Sequence, residues 1–217
     1  FPAAGWTPAG WTAPAGTVAA QDFTPAEMTK TGTFWGLLFC FLIGSIAGLM
    51  AIGISKPVGS EIINISGDTA ATLVGIFAIF NAAGRPLFGF LTDKLKPRNA
   101  AMLNLVLILV VSLIMIVAKE GDTGLYTLSF IGFWLCLGGW LAIAPTATAA
   151  FFGMKNYARN YGVVFFAYGL GAIIGGIISG QAKDVFGTYT VAFYPTAALA
   201  VVGLVLAFAL LKPPTKA

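Results

Sequence analysis

One guanidinium stands inside an otherwise uncharged apolar run. Arg85 lies between Asp68 and Asp93, and no Asp or Glu falls between those two. A cation at such a place is costly in hydrocarbon, so it needs water, a partner or an anionic ligand. The planar fork of a guanidinium donates two parallel hydrogen bonds and therefore suits a carboxylate. The competing reading is a structural cation satisfied by helix-end carbonyls. Asn81 precedes Arg85 by one helical turn and has both donor and acceptor groups. It either contacts a substrate carboxylate or hydroxyl, or holds Arg85 in its rotamer. The same face continues through Phe77 or Ala78 on one side and Phe88 and Thr92 on the other, which predicts an aromatic-walled pocket with one charge. Further along, Tyr161, Val164, Phe165, Tyr168 and Ala172 recur at helical spacing. They predict a complementary wall in which Phe165 packs beside the ligand and the Tyr168 hydroxyl points inward; simple packing is the alternative. Phe133, Trp134, Cys136 and Trp140 are further aromatic and thiol candidates, with core or lipid-facing packing the better expectation for any one of them.

These residues must be positioned by membrane-spanning helices. The 217 residues are 58% hydrophobic and 9% charged, with a mean hydropathy of +0.89. A soluble domain of that size needs more polar surface. Net charge is +4, but the basic residues sit at the ends of apolar runs, which fits membrane orientation and not nucleic-acid binding. The chain contains no histidine, which excludes histidine proton shuttles and histidine-ligated metals, and no metal site or cofactor is expected. The spans carry no acidic pair for hydrolytic chemistry, so the chain is not expected to be an enzyme. Cys40 and Cys136 both fall within apolar runs and are expected as separate buried thiols.

Six apolar segments are predicted, at about 33–54, 69–92, 100–118, 125–150, 161–180 and 189–211. Pro145 and Pro195 are expected to kink the fourth and sixth. Residues 1–30 form a separate connector, with a six-helix transmembrane domain over 31–217. The connector nearly repeats a Pro-Ala-Gly-Trp unit, and its Trp6 and Trp11 suit the headgroup level. Thr24-Pro-Ala-Glu27 has the pattern of a capping box with proline at the first helical position, and predicts a short interfacial helix. If the connector is cytoplasmic, eight Lys or Arg lie on its side and three on the other (Lys56, Lys119 and Lys183). The bias places both ends of the chain in the cytoplasm, in an inner or plasma membrane. The chain opens on polar sequence without an initiating methionine and is read as a fragment of a longer protein. A shift of 87 residues lays Gly75, Gly84 and Gly89 on Gly162, Gly171 and Gly176, and Arg85 on Ala172. This suggests two three-helix repeats, against the competing chance of matches in a chain with 27 glycines.

The most specific string is Gly84-Arg-Pro-Leu-Phe-Gly89-Phe-Leu-Thr-Asp93-Lys-Leu-Lys-Pro-Arg98. Gly89 permits a close crossing, Asp93 caps or pairs near a helix end, and Lys94, Lys96 and Arg98 anchor the turn. Making and breaking such contacts would latch one conformational state; the plainer alternative is that the basic turn only sets topology. The string from Gly89 to Arg98 resembles the loop signature between the second and third helices of a major facilitator superfamily half. Asn81-Ala-Ala-Gly-Arg85-Pro resembles the substrate-binding arginine region in the oxalate/formate antiporter family and its monocarboxylate-transporter relatives, and the segment from Asn160 to Gly169 is similar to their eleventh helix. The resemblance implies an all-α membrane fold: six helices forming the C-terminal half of a twelve-helix transporter, with an N-terminal six-helix half as partner. It implies proton-coupled transport of a small carboxylate anion such as L-lactate, or else oxalate/formate-type exchange. The oxalate-exchanging member carries a second intramembrane cation where this chain has Tyr168. One fixed charge suits a monoanion better than a dianion. A six-helix channel or scaffold is a third reading and leaves the loop string unexplained.

Overall fold

A computed structural model describes residues 21–215. The Pro-Ala-Gly-Trp repeat with Trp6 and Trp11 lies outside the described residues. The described chain is all α: a short α1 (Pro25–Met28), then α2 (Gly32–Glu61), α3 (Gly67–Val117), α4 (Thr123–Phe152), α5 (Tyr157–Phe186) and α6 (Phe193–Leu210). The 51 residues of α3 comprise two helices that meet at a sharp break, where Lys96 has φ 69° and ψ 155°. With that break the bundle has six membrane-length helices. The loop expected over 93–99 is absent: Pro97 bars Lys96 from the right-handed helical region, and this one residue turns the chain. The Lys96 backbone sits in a region that non-glycine residues seldom occupy.

Helix ends follow local chemistry. Thr24 caps α1 as the sequence predicts: its Oγ1 accepts from the Glu27 N–H at 3.3 Å, while Glu27 Oε2 accepts from the Thr24 N–H at 2.7 Å. Thr31 and Ser66 cap α2 and α3 one way only, each hydroxyl oxygen accepting from the backbone N–H three residues on. Pro195 does not kink the sixth span. That span opens with a 3-10 turn over Tyr189–Ala192, and α6 starts only at Phe193. Pro195 therefore falls in the first turn, where its missing N–H leaves no hydrogen bond unmade.

The basic segments gather at one end of the bundle. The Thr33 hydroxyl donates to the Lys212 carbonyl at 2.7 Å, joining the start of α2 to the end of α6. Lys96, Arg98, Phe151 and Lys212 line one cavity there. The opposite end holds the Glu61–Lys183 ion pair and the Asn64 amide donating to Glu120 at 2.6 Å. The segment before α1 is also fastened to the basic end. Phe23 is 2% exposed and packs edge-on against Phe152 at 5.7 Å. Its carbonyl accepts from Asn156 Nδ2 at 3.0 Å and Asn160 Nδ2 at 2.9 Å. Asp22 Oδ1 accepts from the Lys155 N–H at 2.9 Å. Residues 22–23 are thus docked on the turn between α4 and α5, which the sequence does not reveal.

The core is a set of close crossings made by small residues. Gly84 of α3 meets the backbone of Leu135 and Gly139 in α4, and Gly138 of α4 meets the backbone carbonyl of Asn81. A side chain at either glycine would overlap the facing main chain, so only hydrogen fits. Trp140 and Leu137 of α4 pack on Gly44 and Gly48 of α2, while Gly171 and Gly175 of α5 pack on Ser45, Ile46 and Met50. Both cysteines are free and buried, as expected.

Candidate functional site

The first arm of α3 carries the guanidinium. Its buried residues are Ala70, Phe77, Gly84, Phe88 and Thr92, a seam at helical spacing pressed against α4. Arg85 follows Gly84 and is rotated about 100° around the helix from it. It is exposed, on the flank of the seam, and no ion pair holds it among the described residues. At 1.5 Å per residue it lies roughly 16 Å short of the break at Lys96, well inside the span. Pro86 directly follows and donates no hydrogen bond to the Ala82 carbonyl, leaving an acceptor free on the same open stretch.

This geometry corrects two expectations. Phe77 is 0% exposed and lies in an aromatic cluster with Tyr126 at 5.7 Å, Phe130 at 5.8 Å and Trp134 at 6.3 Å. It is a packing residue of the α3–α4 seam and does not wall a pocket; Phe88 and Thr92 share that burial. The reason is rotational: the stripe through residues 77, 81, 84 and 88 is the one that α4 covers, and Arg85 stands beside it. Asn81 makes no hydrogen bond to Arg85 among the described residues, so it does not hold that side chain in its rotamer. Its Nδ2 donates to the Trp134 carbonyl at 3.0 Å and ties α3 to α4 beside the Gly138 crossing. It fixes the helix that carries Arg85 and leaves the guanidinium unbonded.

Tyr168 and Phe165 stand on α5. That helix buries seven of its 30 residues, in one narrow seam from Asn160 to Ala182. Tyr157 stacks on Tyr161 at 5.8 Å, Tyr161 meets Phe165 at 5.6 Å, and Phe165 stacks on Tyr168 at 5.2 Å with planes 10° apart. Phe41 of α2 closes the row, 6.1 Å from Phe165, 6.3 Å from Tyr168 and 5.9 Å from Trp140. Phe165 is 39% exposed and Tyr168 half-buried. Among the described residues the Tyr168 hydroxyl has no hydrogen-bond partner, and no direct contact joins it to Arg85. The row of rings therefore presents a wall with one polar tip. Phe41 is 0% exposed and backs the row from the core; α2 is apolar all round and gives no periodic signal for it.

The aromatic and thiol candidates of α4 are core residues: Phe133, Cys136 and Trp140 are 0% exposed and Trp134 is 7% exposed. At the basic end, Asp93 is exposed and unpaired among the described residues. Gly89 meets open space and makes no crossing within this bundle. Arg98 turns to α6, its guanidinium carbon 4.7 Å from the Phe208 ring centroid. No group of three or more His, Cys, Asp or Glu is placed to hold a metal among the described residues.

Known proteins share this arrangement of sequence. The chain is 30% identical over 157 residues to YhjX of Escherichia coli (strain K12), an uncharacterized MFS-type transporter; the match covers 72% of this chain and 39% of that protein. It is 29% identical over 191 residues to the oxalate:formate antiporter of Oxalobacter formigenes, covering 88% of this chain and 45% of the antiporter. It is 29% identical over 172 residues to monocarboxylate transporter 9 of Rattus norvegicus, covering 78% and 33% respectively. The chain thus spans less than half the length of each of these relatives. The family model of the Major Facilitator Superfamily matches residues 37–217. A six-helix membrane bundle matched over that stretch belongs to the Major Facilitator Superfamily, a superfamily of transporters and not of catalysts.

Proposed function

We propose that this chain supplies the carboxylate-binding half of a proton-coupled transporter for small monocarboxylates of the L-lactate type. The observation that carries the reading is Arg85: a guanidinium inside a span, exposed on an open flank and without an ionic partner among the described residues. A substrate carboxylate would accept two hydrogen bonds from it and neutralise it. Phe165 would contact the small carbon body, and the Tyr168 hydroxyl would donate to or accept from a hydroxyl or keto oxygen. A single fixed cation matches one negative charge, since an unpaired second charge would remain costly in the membrane.

In this reading a second six-helix half closes over the open faces of α3 and α5 and completes the cavity. Rocking of the two halves then exposes the site to each side in turn. Two three-helix repeats within this half are supported by matched contacts. Gly84 packs the second helix of the first triplet on α4, and Gly171 packs the second helix of the second triplet on α2. The Cys40 thiol of α2 donates to the Gly203 carbonyl of α6 at 3.4 Å, and the Cys136 thiol of α4 donates to the Asn104 carbonyl in the second arm of α3 at 3.7 Å. In both cases the first helix of one triplet reaches the third helix of the other.

Neutralising Arg85 lowers the cost of moving the loaded site through the closed state, which favours exchange or symport over leak. The carboxylates in the spanning helices of this half, Glu61, Asp68, Asp93 and Asp184, all stand at or near a helix end or the break at Lys96, so the coupled proton rides either on a group of the second half or on the substrate–arginine site itself. Asp93 and Gly89, both facing open space, are the proposed latch with the other half, and Arg98 anchors the turn beside them by stacking on Phe208. The proposed setting is an inner or plasma membrane with both ends of this chain cytoplasmic, supported by the gathering of basic residues at one end.

Oxalate/formate-type exchange is the second reading, and likeness to the oxalate:formate antiporter favours it. Counterflow in proteoliposomes bearing the full-length transporter separates the two. Proton coupling predicts that an inward pH gradient drives labelled L-lactate above equilibrium with no internal anion. Uptake that requires a preloaded carboxylate and ignores the pH gradient would assign exchange instead.

A further inference from the structure

The basic end of the bundle holds a cavity that the proposed transport site does not use. It has a volume of about 420 Å³ and lies between the break in α3, the end of α4 and the segment after α6. Lys96, Arg98 and Lys212 line it together with Asn99, against the apolar side chains of Phe151 and Leu211. No carboxylate lines it, and among the described residues none of the three cations has an ion-pair partner. Three like charges around one space repel one another unless an anion sits among them. Arg98 adds a second sign of a missing partner: its Nε is buried without a hydrogen-bond acceptor. A buried charged donor left unbonded is costly. Lys96 lines the cavity from the strained backbone at φ 69° that breaks α3.

The cavity also adjoins an exposed apolar face of α6. Arg98 sits over Phe208, which is 63% exposed and continues an apolar exposed stripe of α6 through Val201, Val202 and Val205. Such a stripe suits hydrocarbon chains, and the cations stand where a headgroup would lie at the Lys/Arg-rich face. We propose that this cavity is a binding site for the phosphate of an anionic membrane phospholipid, with the phosphate oxygens among Lys96, Arg98 and Lys212 and one acyl chain along the Phe208 stripe. A bound lipid would hold the break in α3 against the ends of α4 and α6, at the foot of the helix that carries Arg85.

The shared chemistry is a phosphate oxyanion, and the test distinguishes its sources. The full-length transporter is purified and titrated with phosphatidylglycerol, phosphatidylcholine and inorganic phosphate, with bound lipid counted by native mass spectrometry. The site predicts at least one phosphatidylglycerol retained where phosphatidylcholine is lost, and no displacement by millimolar phosphate. Each cation near a membrane surface contributes about fivefold to such binding. Lys212→Gln should therefore weaken phosphatidylglycerol retention about fivefold, and the Lys96→Gln, Arg98→Gln, Lys212→Gln combination about a hundredfold. Lys212→Gln changes only a side chain whose backbone carbonyl makes the helix contact, so it serves if the triple variant does not fold. Equal retention of both lipids, or retention unchanged by Lys212→Gln, would overturn the site. Displacement by inorganic phosphate would overturn its assignment to lipid.

Discussion

Arg85→Lys is expected to lower the kcat/KM for L-lactate uptake by the full-length transporter about 10- to 100-fold. The estimate follows from losing one or more charge-assisted hydrogen bonds, each contributing about 1.5–3 kcal/mol. Lysine keeps the charge but loses the planar fork, so a bidentate grip on a carboxylate becomes a single contact. The position is structurally permissive, since Arg85 is exposed and makes no ion pair among the described residues. Insertion and melting temperature should accordingly stay near wild type. Initial-rate uptake in proteoliposomes, matched for protein content, reads the effect. Wild-type uptake by Arg85→Lys would remove the guanidinium from the substrate's grip.

Gly138→Ala should be the most destabilising single methyl that α4 can receive. Its β-carbon would meet the carbonyl oxygen, carbonyl carbon and α-carbon of Asn81, all of them backbone. A flexible side chain can swing aside; a helix backbone cannot. Over-packing of this kind costs about 1–3 kcal/mol and more where the neighbour cannot move. The expected outcome is a cost of about 3 kcal/mol or more, with the Asn81–Trp134 bond broken and Arg85 displaced with its helix. Gly176→Ala is the matched control, because that glycine meets nothing within 4 Å. Thermal unfolding in detergent should show a large fall for Gly138→Ala and none for Gly176→Ala. Equal melting of both variants would contradict the close crossing.

Much of the scaffold was legible because hydrocarbon imposes simple rules. Apolar runs of span length, with Lys and Arg at their ends, revealed six helices and their basic end. The capping box at Thr24 and Glu27 was equally plain, since it is local chemistry. The join between the second and third spans was not read correctly: a loop was expected, and Pro97 with one left-handed Lys96 suffices. Pro195 was misjudged for a related reason, since a proline in a first turn and one in mid-helix differ by a few residues of boundary.

The site was half legible. Arg85 declared itself by the cost of its charge, and Tyr168 and Phe165 by helical spacing. Phe77 was misassigned because a span that is apolar on its covered and its open sides has no polar face to mark which stripe is covered. The bond from the Asn81 amide to the Trp134 carbonyl joins residues of two different helices and leaves no mark in the local pattern. The places of Phe41 and the docked Phe23 were invisible, because each depends on partners far along the chain: Trp140 and Phe165 for Phe41, Phe152 and Asn160 for Phe23. Local pattern cannot encode such pairings.

The central claim is that the Arg85 guanidinium holds the substrate carboxylate. Modification of the full-length transporter by phenylglyoxal, followed by peptide mass spectrometry, tests it without any substitution. Arg85 is exposed and open to the reagent, and Arg159, near the basic end of α5, provides an internal reference. Saturating L-lactate should protect Arg85 from modification while Arg159 reacts as before, and lactamide, which lacks the carboxylate, should give no protection. Modification of Arg85 at the same rate with and without L-lactate would contradict the account.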